Sequence, residues 1–404
     1  MVMNQKNWQK FLVLFSLYIA QSIPMSFFST VVPVIMRQEH YSLQSIGLLQ
    51  LVKLPWIIKF LWAPVVDNGT RSLRDLRRWI IGSELFYAAV ILFIGCFSLQ
   101  ADFKLVVLLM LFAFVASATQ DIAVDIYAIL MLKPSERGLG NSMQSAGSFV
   151  GSVFGTGILL IAYHYLGWSV LMVLLAAFVA FAIFPMIFYR KPLPSHEVRA
   201  VRVSFIDIFR FFKQKGNGRW ALVLVFYYSG FIGILTMLKP YLVDLGYNVK
   251  QIGFMSGIFG TSVAAICALC AAWIVKRIGR QAAIFSFLAV SLCASSFFWW
   301  MSLGVPSLMV VYLAIALLWG GYGLSTVIIY TISMDRVRCG YEGTDFTLQI
   351  VITHLSSLIF AVLSGQLAGK LGYSGLFAIE AVLSVVTGFI LFVSSRKLKS
   401  NANS

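Results

Sequence analysis

Charge is what this chain has least of. Only 11% of its 404 residues are charged and only 15 are acidic, against 60% hydrophobic and 15% aromatic residues. That leaves too little polar surface to hold a folded domain in water, so an ordinary soluble domain is excluded and lipid becomes the expected solvent. The shortage of acids produces a formal charge of +16. Lysine and arginine nevertheless occur in short clusters between long apolar runs, with no aromatic-basic binding module, so no nucleic-acid partner is expected. Histidines are few, and His40, His164 and His196 fall in loops, which predicts neither a metal nor another cofactor. The five cysteines form no disulfide framework, and Cys267 with Cys270 is a CxxC spacing without further ligands, read as two small apolar helix residues. The first apolar run is too long for a signal-peptide core and has no convincing cleavage site, so it counts as a retained first span.

What the chain has in abundance is apolar runs long enough to cross about 30 Å of hydrocarbon. Twelve spans are expected, near 11–36, 45–66, 79–99, 105–132, 141–163 and 168–189, then 219–243, 250–275, 281–303, 307–334, 346–369 and 373–395. The connections after the odd-numbered spans hold only Arg37, Lys104, Lys250 and Lys370, while nearly all other basic residues fall on the opposite side. By the positive-inside rule both termini are cytoplasmic. A basic stretch, 190–218, separates two halves, 1–189 and 219–404. These share a signature 206 residues apart, Tyr41-Ser42-Leu43-Gln44-Ser45-Ile46-Gly47 and Tyr247-Asn248-Val249-Lys250-Gln251-Ile252-Gly253, with a weaker echo linking Arg137 to Gln144 with Glu342 to Gln349. The fold expected is an all-α membrane protein of twelve transmembrane helices in two six-helix pseudo-repeat bundles, the major facilitator architecture.

Against this background the polar residues within spans are few and costly. An acid at mid-membrane costs at least about 2.5 to 3.5 kcal/mol unless it is paired or lines a wet path. Asp121 and Asp125 lie four residues apart on one face of span 4, with Gln120 and Thr119 beside them. Span 2 carries Lys53 and Lys59. Counting back from the cytoplasmic ends of both spans puts Lys59 level with Asp125 and Lys53 level with Asp121, so those two pairs are expected. Asp121 with Lys53 is the better candidate for transport, and Asp125 with Lys59 for a structural tie between spans. Lys239, beside Pro240 at the outer end of span 7, could attract an anion or snorkel to the headgroups. The positions equivalent to the four charged residues in the second half are Phe259, Ala265, Val327 and Thr331, so the ionic chemistry is one-sided. The second half offers Tyr227, Tyr228, Trp319, Tyr322 and Tyr330 instead.

Pro24, Pro55 and Pro64 should interrupt spans 1 and 2. Gly147, Gly151 and Gly155 form a small-residue stripe in span 5 suited to close helix packing. His354 and Glu380 are further polar residues in spans, without a partner legible in the sequence. The DxxxD spacing of Asp121 and Asp125 would also suit an intramembrane prenyltransferase holding magnesium and a diphosphate, but Glu84 and Glu380 form no second acidic cluster, and no enzyme is expected.

Past the end of span 2, Asp67 precedes Arg71, Arg74, Arg77 and Arg78, and the equivalent loop of the second half reads Lys276-Arg277-Ile278-Gly279-Arg280. This resembles the loop signature with which major facilitator proteins latch the cytoplasmic side. Asp67, Arg71, Arg77 and Arg78 are therefore the expected cytoplasmic gate. Lys59-Phe60-Leu61-Trp62-Ala63-Pro64 with Asp67, together with Ser117-Ala118-Thr119-Gln120-Asp121-Ile122 and Asp125, resembles the AmpG branch of that superfamily. The branch contains AmpG-type muropeptide permeases and RhtX/FptX-type siderophore permeases. Leu54-Pro55-Trp56, the Lys239-Pro240 segment and the twelve-span length resemble the siderophore group more. The resemblance implies a bacterial inner-membrane importer, monomeric, working by alternating access on the proton gradient. Its cargo would be a bulky anionic small molecule, a siderophore or ferric siderophore ahead of a muropeptide.

Overall fold

A chain surrounded by hydrocarbon has to satisfy its own peptide groups, and helices do so within each segment. The structure, a computed structural model, describes residues 5–40, 49–189 and 201–400 and is helical, with no strand among the described residues. Seven helical runs there are long and apolar enough to cross a bilayer. Three of them, Arg137–Phe188, Lys250–Met301 and Glu342–Ser394, run for 52, 52 and 53 residues, more than twice one crossing. Each turns at a glycine with left-handed φ: Gly167 at 70°, Gly279 at 80° and Gly372 at 71°, all with ψ near 180°. Only glycine enters that region readily. These turns fall where the sequence separates spans 5 from 6, 8 from 9 and 11 from 12. Span 3 is the helix Leu73–Ile94, and span 2 is the broken stretch before it. This order accommodates the twelve expected spans. The first copy of the repeat signature, Tyr41 to Gly47, lies outside the described residues, as do His196 and most of the basic stretch before Val201.

The chain divides into two compact units, Met1–Phe205 with Val337–Thr347, and Ile206–Arg336 with Leu348–Ser404. The division falls inside 190–218, the stretch read as a linker, and residues there form the helix Ile206–Lys213. The loop after span 10 belongs to the first unit, although the chain on either side of it belongs to the second.

Within the first unit, spans 1 and 5 lie close together along the glycine stripe. A Cβ on Gly147 would stand 2.8 Å from the Phe15 carbonyl oxygen, and one on Gly151 2.7 Å from Ser22 Cβ. This approach sets Tyr18 and Gln21 of span 1 against the polar residues of span 4. Gly151→Val should therefore push the two helices apart and lower stability by about 1–3 kcal/mol, read from thermal unfolding of the purified protein. Span 3 packs along spans 4 and 6 through an apolar core that includes Tyr87, Ile91, Met110, Phe114, Leu171 and Leu175. Span 1 passes from α-helix after Pro24 into a π-helical turn, Phe27–Val31. Span 2 alternates between 3-10 turns, Gln50–Lys53 and Lys59–Leu61, and short helices, Leu54–Ile58 and Ala63–Gly69, with Pro55 and Pro64 in their first turns. The prolines remove donors and set the restarts.

The second unit is held by aromatic packing. Tyr228 lies 5.6 Å from the Tyr322 ring and 5.7 Å from the Tyr227 ring, and the Tyr227 hydroxyl donates to the Ile284 carbonyl. Glu380 of span 12, without a partner in the sequence reading, accepts a hydrogen bond from the Ile234 amide at 3.0 Å. It reaches that amide because Gly233 leaves room: a Cβ there would collide with the carboxyl group.

Candidate functional site

The first unit encloses a row of buried polar side chains in its helical core. Span 4 supplies Ser117, Gln120, Asp121 and Asp125, span 1 Tyr18 and Gln21, span 2 Lys59, and span 5 Gln144, all under 10% exposed. Lys59, only 1% exposed, forms an ion pair with Asp121. Its ammonium also lies over the Trp56 ring, 4.8 Å from the centroid, one turn earlier on span 2. The Tyr18 hydroxyl donates to Asp125 Oδ1 at 2.5 Å, and Gln144 Nε2 donates to the same oxygen at 3.4 Å. Gln21 Nε2 donates to Gln120 Oε1, and Trp62 Nε1 donates to Thr119 Oγ1 at 3.1 Å.

The pairing differs from the one expected. Lys59 meets Asp121 and not Asp125, while Lys53 is half-buried with no ion pair among the described residues. The reason is the geometry of span 2. Residues in a 3-10 turn rise about 2.0 Å each against about 1.5 Å in an α-helix, so uniform counting sets Lys59 too near the cytoplasmic surface. Its four-carbon stem covers the remaining depth. Asp125 finds neutral donors instead. Tyr18, Gln21 and Gln144 are site residues that sequence reasoning missed, although Tyr18 and Gln21 stand three apart on one face of an otherwise apolar span. Tyr18→Phe strips Asp125 of its short bond and leaves only the long contact to Gln144. Stability should fall by about 1–3 kcal/mol in a denaturation series, with Asp125→Asn removing most of the difference.

Asp67 sits past the end of span 2 and accepts three hydrogen bonds from the first residues of the helix that begins at Glu342. The Gly343 amide donates to Oδ1 at 2.8 Å, and the Thr344 amide and hydroxyl to Oδ2 at 2.7 and 2.5 Å. A helix start has unpaired amides and a positive dipole end, which suits a carboxylate. Burial works against the charge and pushes the Asp67 carboxyl up to about 7, against the opposing pull of Thr344 and Gly343. Gly343 is required by the closeness of the approach, since a Cβ there would stand 2.8 Å from Ile126 and 2.9 Å from Asp67 Oδ1. The same loop is pinned by Arg338, which donates from Nε to Asp345 Oδ2 at 2.8 Å and pairs with Oδ1 at 2.5 Å.

Of the four residues expected at the gate, Asp67 makes this contact, and Arg71 lines the adjoining cavity of about 530 Å³ with Arg202 and Glu342. Arg77 turns away to the Tyr189 carbonyl at the end of span 6. Arg78 faces Asp75 at 3.5 Å on the exposed surface, where an ion pair contributes little. Lys239 is exposed on the helix Ser229–Asp244 of the second unit. No group of three or more potential metal ligands occurs among the described residues.

Apolar membrane-crossing helices, a buried ion pair and a carboxylate capping a helix across a basic loop are the parts of a polytopic membrane transporter. The chain belongs to the Major Facilitator Superfamily, whose family model matches residues 11–348. It is 23% identical over 392 residues to the anhydromuropeptide permease of Escherichia coli K12, covering 95% of this chain and 79% of that one. It is 25% identical over 399 residues to an uncharacterized protein of Haemophilus influenzae, covering 95% and 94%. Among solved structures, a bacterial homologue of the iron transporter ferroportin, captured outward-facing, shares the fold with a TM-score of 0.74 at 18% identity, covering 96% of this chain and 99% of that one.

Proposed function

We propose that this transporter is an inner-membrane importer, with both termini cytoplasmic, that takes up an anhydromuropeptide together with a proton. The observation that carries the reading is the buried Lys59–Asp121 pair. A neutral pair can stay in a low-dielectric core, whereas either charge alone cannot. An arriving carboxylate that takes Lys59 leaves Asp121 to accept a proton, and cargo and proton then cross together. The near full-length similarity to an anhydromuropeptide permease supports the cargo class, and a cell-wall sugar-peptide carries the carboxylates that a buried lysine would bind. The clustering of basic residues on one side supports the orientation.

The siderophore reading draws on Leu54-Pro55-Trp56, where Trp56 places an aromatic face beneath the Lys59 ammonium. One experiment separates the two. Right-side-out vesicles carrying the protein are given labelled anhydromuropeptide or a ferric siderophore, with and without an uncoupler. Uptake of the muropeptide that collapses with the gradient is the expected result. Uptake of the ferric siderophore alone would overturn the cargo assignment, and uptake indifferent to the uncoupler would overturn the proton coupling.

A further inference from the structure

Glu84 has no part in the site above and, among the described residues, is a fully buried acid with no hydrogen-bond partner on either oxygen. It lies at the middle of the 22-residue helix Leu73–Ile94 and is 0% exposed. Its helix face otherwise carries Ile80, Tyr87, Ala88, Ile91 and Ile94, all buried. The packed face of span 6 brings only apolar side chains, Leu171, Met172, Leu175, Ala176 and Val179. The short helix before span 3 brings Asp67, whose oxygens are taken by Gly343 and Thr344. Span 4 brings Ser117, whose buried hydroxyl interacts with that of Tyr87, one turn beyond Glu84. The next ionisable group along span 4 is Asp121, one turn past Ser117 and held by Lys59.

A buried carboxylate needs a cation or several donors, and this one has neither, so its ionised form has no place in the seam between spans 3 and 4 as the structure has it. A neutral carboxyl does fit, with an O–H bond of its own. We infer that Glu84 is a second proton-binding site of the transport cycle, separate from the Lys59–Asp121 pair, and that it holds its proton while the seam is closed and loses it when the seam opens to water. On release the O–H bond breaks and the proton passes to water, leaving a hydrated carboxylate. Rebinding reverses the step as the seam closes. Proton occupancy and conformation are then linked, each biasing the other. The interacting hydroxyls of Tyr87 and Ser117 lie one helical turn from Glu84 and from Asp121 respectively, so each proton site has a buried polar group on the adjoining turn of its own helix. The inference rests on the proton-coupled import proposed above for its role in transport, but the protonation of Glu84 can be tested without any cargo.

The test compares wild type with Glu84→Gln and Glu84→Asp in proteoliposomes. The infrared difference spectrum of wild type minus Glu84→Gln at neutral pH should contain the carbonyl stretch of a protonated, water-excluded carboxyl. With labelled anhydromuropeptide, Glu84→Gln should lose gradient-driven accumulation about tenfold while equilibrium exchange stays within about twofold, and Glu84→Asp should recover part of the accumulation. A carboxylate band in place of the carbonyl stretch, or accumulation unchanged in Glu84→Gln, would overturn the inference. If wild type itself fails to accumulate the muropeptide, the cargo assignment falls while the infrared comparison still decides for or against Glu84.

Discussion

Lys59→Met is expected to abolish uptake and to cost about 3–5 kcal/mol of stability, because it strands the Asp121 carboxylate in a core with no other cation beside it. Asp121→Leu should do the same from the other side by stranding the ammonium. The double variant Lys59→Met with Asp121→Leu removes both charges and should return to within about 1 kcal/mol of wild type in denaturant, as buried pairs replaced by apolar residues do. A structural tie and a transport role now part company. If the pair only holds spans 2 and 4 together, the double variant transports. If Lys59 receives an anion and Asp121 a proton, the double variant is stable and inert, and that is the expected outcome. Vesicle uptake and unfolding measured on the same preparations decide it.

Asp67→Ala should lower stability by about 1–3 kcal/mol, since three donors at the start of the Glu342 helix lose their acceptor, and uptake should fall sharply with it. The pH dependence is more specific. The unfolded carboxyl titrates near its ordinary 3.8 and the folded one near 7, so the folded state binds more protons between those values. The associated stability is fully present below the lower value and is lost as pH rises through about 7. Wild type should therefore become less stable from mildly acidic to neutral pH, by more than Asp67→Asn, whose amide does not titrate in that window. Thermal unfolding across that range checks the sign. A wild type that gains stability relative to Asp67→Asn as pH rises would mean that the three donors outweigh burial.

Apolar length made the spans legible, because it follows from the thickness of the bilayer itself. The breaks at Pro55 and Pro64 were legible too, as was the close packing of the Gly147, Gly151 and Gly155 stripe. What depended on three-dimensional register was not. The partner of Lys59 moved by one helical turn because the 3-10 turn Lys59–Leu61 adds rise below the lysine and its long stem covers the rest, neither of which hydropathy records. Asp125 turned to Tyr18 and Gln144, neutral residues that no charge count selects. The weak echo of Gln144 in Gln349 has a physical counterpart. Gln144 bonds to Asp125 of span 4 in the first unit, and Gln349 bonds to the Ser333 carbonyl at the end of span 10 and to the Trp220 indole in the second. The same glutamine position ties its span to the neighbouring one in both halves, although the acids occur in only one. The association of 337–347 with the first unit was hidden for another reason: it depends on backbone amides and a glycine, which give no signal in composition.

The single-glycine connections at 167, 279 and 372 also bear on how force is transmitted. A loop of many residues would let neighbouring helices tilt independently, taking up the displacement in its slack. A connection that reverses at one residue in a glycine-only backbone region has almost no slack, so the end of one helix fixes the start of the next. Spans 5 and 6, 8 and 9, and 11 and 12 therefore behave as stiff hairpins, and a tilt imposed on one arm is delivered to the other. Lengthening any of these turns with a few serines would leave every buried contact in place while uncoupling the two arms mechanically.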